Sequence, residues 1–506
     1  MQTVSYFQPQ LDLSSLNIRP SMDYIIGVDI GTSGTKALAY TTKGKVLTDS
    51  RASYPHLQPR PRYSEQDPEI IIKAVVNCIA EVTEKTGRKP LGIGFSAAMH
   101  GLMAVNAQGK PMMPLITWAD TRSIGETSAL RSSPEAAEIY RRTGTPIHPM
   151  SPLCKLLWLR KHHPGLMHKA YKFISIKEYL FFLFFGEFVI DHSIASATGL
   201  FDTGALKWYS KALNIAGITP AQLSRPVPTD FILKGLKKRF RDKTGLTAGT
   251  PFVIGASDGC LANLGTGAMD PKTMAVTIGT SGAVRVAGPA PLTDPAQRIF
   301  NYILSDKVFI SGGPVNSGGV VLEWFNRQFL PGKSVAQVIA RAMKTKPGAE
   351  GLLFLPYIQG ERAPIWDPQA RGVFFGIDIR HQVGHFARAV LEGITYNICG
   401  VQRLLEQLGK PAKEIRLSGG MIRSRAWAQL ITDMLGRPAV ITSDEDASAT
   451  GAAMMAMAAL QLISSLEKSS GLVRKTAMLE PANSGMYKEN LQKFFALYDR
   501  LKSAFN

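Results

Sequence analysis

One short pattern occurs twice in this chain, near its start and again about halfway along. Tyr24-Ile25-Ile26-Gly27-Val28-Asp29-Ile30 is an apolar run closing on an acid. Gly31-Thr32-Ser33-Gly34-Thr35-Lys36 is a turn crowded with glycines and hydroxyls, and Ala37-Leu38-Ala39-Tyr40 resumes the apolar run. The second copy runs Thr273-Met274-Ala275-Val276-Thr277-Ile278, Gly279-Thr280-Ser281-Gly282, Ala283-Val284. Glycine tolerates positive φ and the flanks suit a buried sheet, so each copy reads as strand, tight turn, strand. The turn amides and hydroxyls suit phosphate oxygens. A glycine-rich hairpin with an acid is more often only a hairpin, and neither copy ends in the Gly-Lys-Ser/Thr of a Walker loop. The repetition is what points to two similar domains clamping a nucleotide.

Length agrees. A chain of 506 residues exceeds one hydrophobic core, so two domains of roughly 230–250 residues are expected. The expected division is an N-terminal extension at 1–21, one domain at 22–256 and a second at 257–506. The net charge of +19 calls for an anionic partner or a generally basic surface. Lys and Arg are spread along the chain, with one local cluster at Gly235–Arg241, and no nucleic-acid reading motif is present. Cys78, Cys154, Cys260 and Cys399 lack CxxC spacing and neighbouring His, which excludes a zinc pattern and reads as buried thiols in a reducing compartment. The apolar Phe181–Phe185 run is bracketed too closely by Lys177, Glu178 and Glu187 to span a membrane. With no basic-then-apolar leader pattern, a cytoplasmic protein is expected.

In chain order, Val46–Ser53 supplies a third strand, and Asp67-Pro68-Glu69 opens a helix with apolar residues from Ile71 to Val82. Leu91–Ser96 is a short buried strand delivering Met99 and His100 at its end, where α/β folds place ligands. His100 either bonds a substrate hydroxyl or is structural. Trp118, Asp120 and Arg122 point to one side if their segment is extended; otherwise they are a surface ion pair beside a half-buried Trp. The proline-rich Thr143–Met150 stretch, with His148, shapes a pocket wall. A second buried strand, Pro251–Ala256, runs into Ser257-Asp258-Gly259, where Asp258 is either a helix cap or a general base at the domain junction. Asn316–Val320 suits close approach of backbone to a ligand, and Gly360–Pro368 is a rigid loop carrying Glu361 and Arg362. His385–Leu405 reads as a long amphipathic helix. Leu417-Ser418-Gly419-Gly420, with a helix from about Ser424, either holds adenosine or phosphate or simply packs tightly. Gly451–Leu462, rich in Ala and Met, reads as an interdomain core helix.

From about Asp23 to Leu462 the sequence resembles the FGGY carbohydrate kinases, in the superfamily that also holds actin and the heat-shock chaperone ATPases. Met150-Ser151-Pro152-Leu153-Cys154-Lys155-Leu156-Leu157-Trp158-Leu159 matches the first family signature; Leu417–Ser424 continuing through Asp433–Gly436 matches the second. The resemblance implies an α/β fold of two ribonuclease-H-like (actin-like ATPase) domains with ATP and sugar in the cleft between them. It implies Asp258 as catalytic base and Asp29 as the acid that positions Mg²⁺. Thr32 and Ser33 match the first phosphate loop, Gly279 and Thr280 the second, and Gly319, Gly420 and Ser424 nucleotide-contacting positions. Met99 and His100 match the sugar-contacting pair.

Within the family, Ser96–His100, Thr143–Met150, Ile176–Tyr179 and Ala195–Gly199 look most like gluconokinases. A carboxylate-bearing substrate needs cations or strong donors, for which His100, Arg122, His148 and Arg362 are the candidates, with Trp118 and Asp120 beside them. The expected reaction is therefore ATP-dependent phosphorylation of D-gluconate to 6-phosphogluconate, with ATP and Mg²⁺ as cofactors. The partner is a small sugar acid or sugar, without nucleic acid or membrane; oligomeric state stays open, a homodimer being one form. The alternatives are a xylulokinase or another sugar or polyol kinase and, in a different class, a non-catalytic sugar sensor or an actin- or chaperone-like ATPase.

Overall fold

Both hairpins form, and each opens a central sheet. The structure, a computed structural model, describes residues 23–442, 446–482 and 484–505; the expected N-terminal extension lies outside the described residues. The first sheet contains β1 (Tyr24–Ile30), β2 (Gly34–Thr41), β3 (Val46–Ser53), β4 (Gly92–Ala97), β5 (Ile232–Leu233) and β6 (Phe252–Ser257), in the order β5-β6-β4-β1-β2-β3. The second contains β7 (Thr273–Ile278), β8 (Gly282–Gly288), β9 (Phe300–Ser305), β10 (Val308–Val315), β11 (Glu414–Ser418), β12 (Ala439–Thr442) and β13 (Lys475–Leu479), in the order β9-β10-β8-β7-β11-β12-β13. In the first, β1, β2 and β3 are antiparallel neighbours, while β4 and β6 run parallel to β1. The second repeats this with β7, β8 and β10 antiparallel and β11 and β12 parallel to β7. The duplicated hairpin thus belongs to a duplicated sheet plan, the two-domain α/β class expected from the sequence.

The helices follow their sequence signals. α1 (Pro68–Thr86) starts where Asp67 accepts the Glu69 N–H and stops at Gly87 with φ 63°. Its buried Ile71, Val75, Ile79 and Val82 recur at helical spacing. α2 (Pro152–His162) carries the first signature and α3 (Ile176–Phe185) the Phe-rich run, whose Leu180, Phe181 and Phe184 are core residues. α4 (Asp258–Gly265) leaves the end of β6, and α5 (Gly319–Phe329) starts against the second hairpin, its Gly319 N–H donating to Gly279 O at 2.7 Å. α6 (Val383–Leu408) is the long amphipathic helix, and α7 (Arg425–Leu435) follows β11.

The last of these helices, α8 (Ala447–Ala459), joins the halves. It comes late in the chain, yet it packs on β1 and β4 of the first sheet and along α4. Small residues permit this approach. A Cβ on Gly27 would sit 2.1 Å from Ala449 O, and one on Gly94 would sit 2.0 Å from Ala452 O. Met454, Met455 and Met457 fill the shared core with Ile25, Leu261 and Leu264.

Candidate active site

The carboxyl ends of β1, β4 and β6 face the second hairpin across a cavity of about 230 Å³. Thr32, Met99, His100, Trp118 and Asp258 line one side; Ser281, Ala283, Arg285, Tyr302 and Arg362 line the other. The two sheets therefore contribute opposite walls, and residues far apart in sequence meet at the ends of parallel strands.

Asp258 is built from the backbone upward. The cap of α4 is Ser257, whose Oγ accepts the Cys260 N–H at 3.4 Å. That frees Asp258, the first helical residue, to aim into the cavity, with Oδ1 accepting the Gly259 N–H at 2.7 Å. The strand ahead of it is irregular: pairing of β6 with β4 slips between Val253 and Ala256. At the slip, Gly255 has φ 68°, and a Cβ there would lie 1.8 Å from Phe95 O. Lys177 on α3 takes the displaced carbonyls, donating to Ile254 O at 3.1 Å and Ala256 O at 3.0 Å, and its charge is met by Asp191 at 2.6 Å. Both ions are buried, so this bulge is held by charge as well as packing. Burial pushes the Asp258 carboxyl up to about 6, and the nearby Asp29 charge adds to the rise; Arg285 opposes it.

Asp29 ends the opening strand. Ser96 on β4 donates to its Oδ1 at 2.8 Å, and burial raises its pKa against that bond and the charge of Lys36. Lys36 itself reaches Asp446 at 2.7 Å, and Arg51 meets the same acid at 2.6 Å, tying the first hairpin to the start of α8.

His100 has a left-handed backbone, φ 67°. Its Nδ1 lies 2.8 Å from Ala197 O, an acceptor, which makes Nδ1 the protonated nitrogen and leaves Nε2 to accept from the Tyr302 hydroxyl at 3.3 Å. Burial, aided by Lys155 and Arg362, pushes its pKa down to about 3. It is a neutral imidazole. Lys155, the signature lysine of α2, donates to the His100 carbonyl at 2.5 Å and to Ile116 O at 3.4 Å. Trp118 closes the cavity, donating Nε1–H to Thr32 Oγ1 at 2.8 Å, and the Arg362 guanidinium packs 4.7 Å from its ring. Arg362 also donates to Asn316 Oδ1 at 2.8 Å and Val315 O at 3.1 Å.

Two expectations need correcting. The 117–122 segment is a turn, not extended, so Trp118 alone reaches the cavity. Asp120, 0% exposed, and Arg122 turn away into a buried cluster in which Arg122 pairs with Asp120 at 2.7 Å and with Glu65 at 2.6 Å. The Arg122 guanidinium is covered by the Tyr63 ring at 3.7 Å. They hold the wall instead of forming it. His148 stands behind that wall, its ring 5.2 Å from Trp366 and its Nδ1 accepting the Met150 N–H at 3.2 Å. Ser424 lies where α7 begins, its hydroxyl capping the helix by accepting the Trp427 N–H at 3.3 Å.

Sequence reasoning missed Arg285 and Tyr302. A signal for Arg285 was available: once the second hairpin is recognised, strand alternation puts Ser281, Ala283 and Arg285 on one face. None was available for Tyr302, which reaches the site only because β9 pairs beyond β10 at the edge of the second sheet.

Two duplicated sheets closing on one acid-bearing cleft match a known plan. Residues 24–265 match the N-terminal domain of the FGGY family of carbohydrate kinases, and residues 274–460 match its C-terminal domain. The chain belongs to that family. As an FGGY kinase it is an ATP-dependent carbohydrate kinase acting on a small molecule. It is 42% identical to the gluconokinase of Bacillus subtilis over 90% of this chain and 91% of that one, and 28% identical to the xylulose kinase of the same organism over 96% and 97%. Among solved structures, a gluconate kinase from Lactobacillus acidophilus aligns with TM-score 0.92 at 32% identity, covering 96% of this FGGY kinase and 99% of the other chain. A ligand-bound xylulose kinase from the same organism aligns with TM-score 0.93 at 32% identity over the same shares. Among the described residues no helix is long and apolar enough to cross a membrane.

Proposed function

We propose that this kinase phosphorylates D-gluconate on its primary hydroxyl, giving 6-phosphogluconate and ADP. The observation that carries it is a cavity holding a carboxyl raised to about 6 together with two guanidiniums, the half-buried Arg285 and the buried Arg362. A base suits a hydroxyl acceptor, and guanidiniums beside it suit an acidic one. The identity to the Bacillus subtilis gluconokinase supports the same substrate.

In this mechanism Asp258 accepts the hydroxyl proton as the hydroxyl oxygen bonds the γ-phosphorus. The bond from that phosphorus to the β–γ bridging oxygen breaks, and ADP leaves with the electron pair. Thr32 and Ser33 on the first hairpin, and Gly279 and Thr280 on the second, cradle the phosphate chain from opposite sides. Gly319, at the start of α5, and Gly420, after β11, line the nucleotide side. Met99, His100 and Trp118 hold the sugar. Because His100 is neutral, its role is hydrogen bonding. Positioning and charge stabilisation supply most of the rate in such transfers, and closing the halves excludes water.

The residues present fit Mg²⁺. Among the described residues no three His, Cys, Asp or Glu side chains make a metal cage, but Mg²⁺ in kinases needs only one or two carboxylates plus substrate phosphates. Asp29 keeps Oδ2 for that role while Ser96 occupies Oδ1. Bound there, the ion would neutralise phosphate charge.

The experiment is an ATP-coupled screen of gluconate, xylulose, ribulose and glycerol. Gluconate is expected to give the highest kcat/KM. Turnover of xylulose without gluconate would overturn the substrate and favour the second reading, a xylulokinase, which the equally good alignment to a xylulose kinase structure keeps in view.

A further inference from the structure

We propose that Arg285 is the residue that admits an acidic acceptor, receiving the substrate carboxylate on the free edge of its guanidinium. The proposal rests on the sugar-acid reading above and names the group responsible.

Arg285 stands on β8, two alternations past Ser281, so its Cα lies about 13 Å along the strand from the phosphate turn. It therefore roots on the acceptor side of the site. Two glycines make room for it. A Cβ on Gly312, its register partner on β10, would lie 3.1 Å from Arg285 Cγ. A Cβ on Gly259 would lie 3.3 Å from Arg285 Nε, 3.5 Å from Nη2 and 2.9 Å from Met99 Cε. The guanidinium and the Met99 methyl thus converge from opposite walls above the residue that follows Asp258.

Its bonding is almost unspent. The hydrogen bond it makes is Nη1 to Thr277 Oγ1 at 3.4 Å; among the described residues Nε and Nη2, which lie beside Gly259, have no hydrogen-bond partner and the guanidinium forms no salt bridge. Arg362 differs: Nε and Nη2 are committed to Asn316 and Val315, and Trp118 covers a face. Of the two cations, Arg285 is the one with a planar fork available for two parallel bonds to a carboxylate.

The site also needs such a cation. Asp258 lines the cavity and Asp29 lies near it, so a sugar acid entering needs a positive charge close by to offset theirs. Arg285 opposes the field of Asp258 more than any other cation around it. A neutral polyol leaves the guanidinium desolvated and unpaired, which turns the same residue into a filter against uncharged sugars.

The test compares D-gluconate with D-glucitol, which differ only in carboxylate against CH₂OH at C1. Dissociation constants are measured by calorimetry with a non-hydrolysable ATP analogue present, on the intact protein and on Arg285→Met and Arg285→Lys. The intact protein is expected to bind gluconate at least tenfold tighter than glucitol. Arg285→Met should erase that preference and raise the gluconate KM by one to two orders of magnitude. Arg285→Lys, which keeps the charge and loses the fork, should fall between; it carries the test alone if the Met variant does not fold. Equal weakening of both ligands, or a preference that survives both substitutions, would overturn the assignment, leaving Arg285 to the phosphoryl group or the scaffold. Failure of the sugar-acid reading shows separately and earlier, as an intact enzyme that does not turn over gluconate, and the assignment falls with it.

Discussion

Lys155 places its ammonium 2.5 Å from the carbonyl oxygen of His100, a residue 55 positions earlier in the chain. Through this bond the signature lysine of α2 fixes the backbone of a residue that lines the cavity. His100 holds φ 67°, a conformation that a residue with a side chain rarely adopts. The lysine satisfies that carbonyl, and burial in turn pushes the lysine down to about 7.

Replacing Lys155 by Met should therefore act through His100. Orphaning the buried carbonyl costs about 1–3 kcal/mol. The expected result is a lower melting temperature together with a higher KM for the sugar and little change in KM for ATP. A fall in stability without any change in sugar KM would mean that the lysine supports packing alone.

Asp258→Asn should reduce kcat by roughly 10²–10⁴, the range of a positioned general base, while ATP binding measured by calorimetry is retained. The intact enzyme should show one acidic limb in its kcat profile, falling as pH drops through about 6 because the base is then protonated. His100, held near 3 in its neutral form, contributes no second limb between pH 5 and 8.

The same carboxyl makes a stability prediction of opposite sign. Its folded pKa is raised above that of an ordinary aspartate, so its contribution to stability is fully present at low pH and is lost as pH rises through about 6. Above that pH the ionised group strains the fold. Asp258→Asn should then melt higher than the intact protein at pH 8, by on the order of 1–3 kcal/mol, with the gain vanishing near pH 4.

Arg122→Leu separates wall from site. It strands Asp120, which is 0% exposed, and removing one partner of a buried pair costs about 3–5 kcal/mol. Denaturant midpoints should fall sharply, with a much smaller effect on sugar KM in the folded fraction. A large KM effect at unchanged stability would return Arg122 to the substrate.

Gly94→Ala tests the contact that joins the halves. The new methyl would stand 2.0 Å from Ala452 O on α8, backbone against backbone, with no flexible group to yield. Overpacking of this kind costs about 1–3 kcal/mol or more. Lower yield of folded protein and a reduced melting temperature are expected, since α8 would have to lift off β1 and β4.

Much of this was legible in the residues because it is local. The hairpins, the Asp67–Pro68 helix start and the Val46–Ser53 strand are set by glycine freedom, caps and alternation within a few residues, and the structure reproduces each. Recurrence of the hairpin announced the duplicated sheet before any coordinate was known. The position of Asp258 at the end of a buried strand was equally local, but its freedom from capping duty depended on which neighbour took the Cys260 N–H. Ser257 took it.

What only the tertiary structure decided was direction and company. Trp118, Asp120 and Arg122 occupy alternate positions in one short segment, and a turn sends one to the cavity and two to a buried pair, because Glu65 and Tyr63 arrive from another segment to receive the arginine. Arg285 gained its place because Gly312 and Gly259, on different elements, both lack the atoms that would displace it. Sequence by itself determined the two glycine-rich hairpins and the acids at the strand ends, since those follow from backbone preferences along the chain. The cavity walls, with Tyr302 and Arg362 opposite His100, depend on contacts between residues hundreds of positions apart, and packing of both sheets against α4, with α8 on the first, is what brings them within reach.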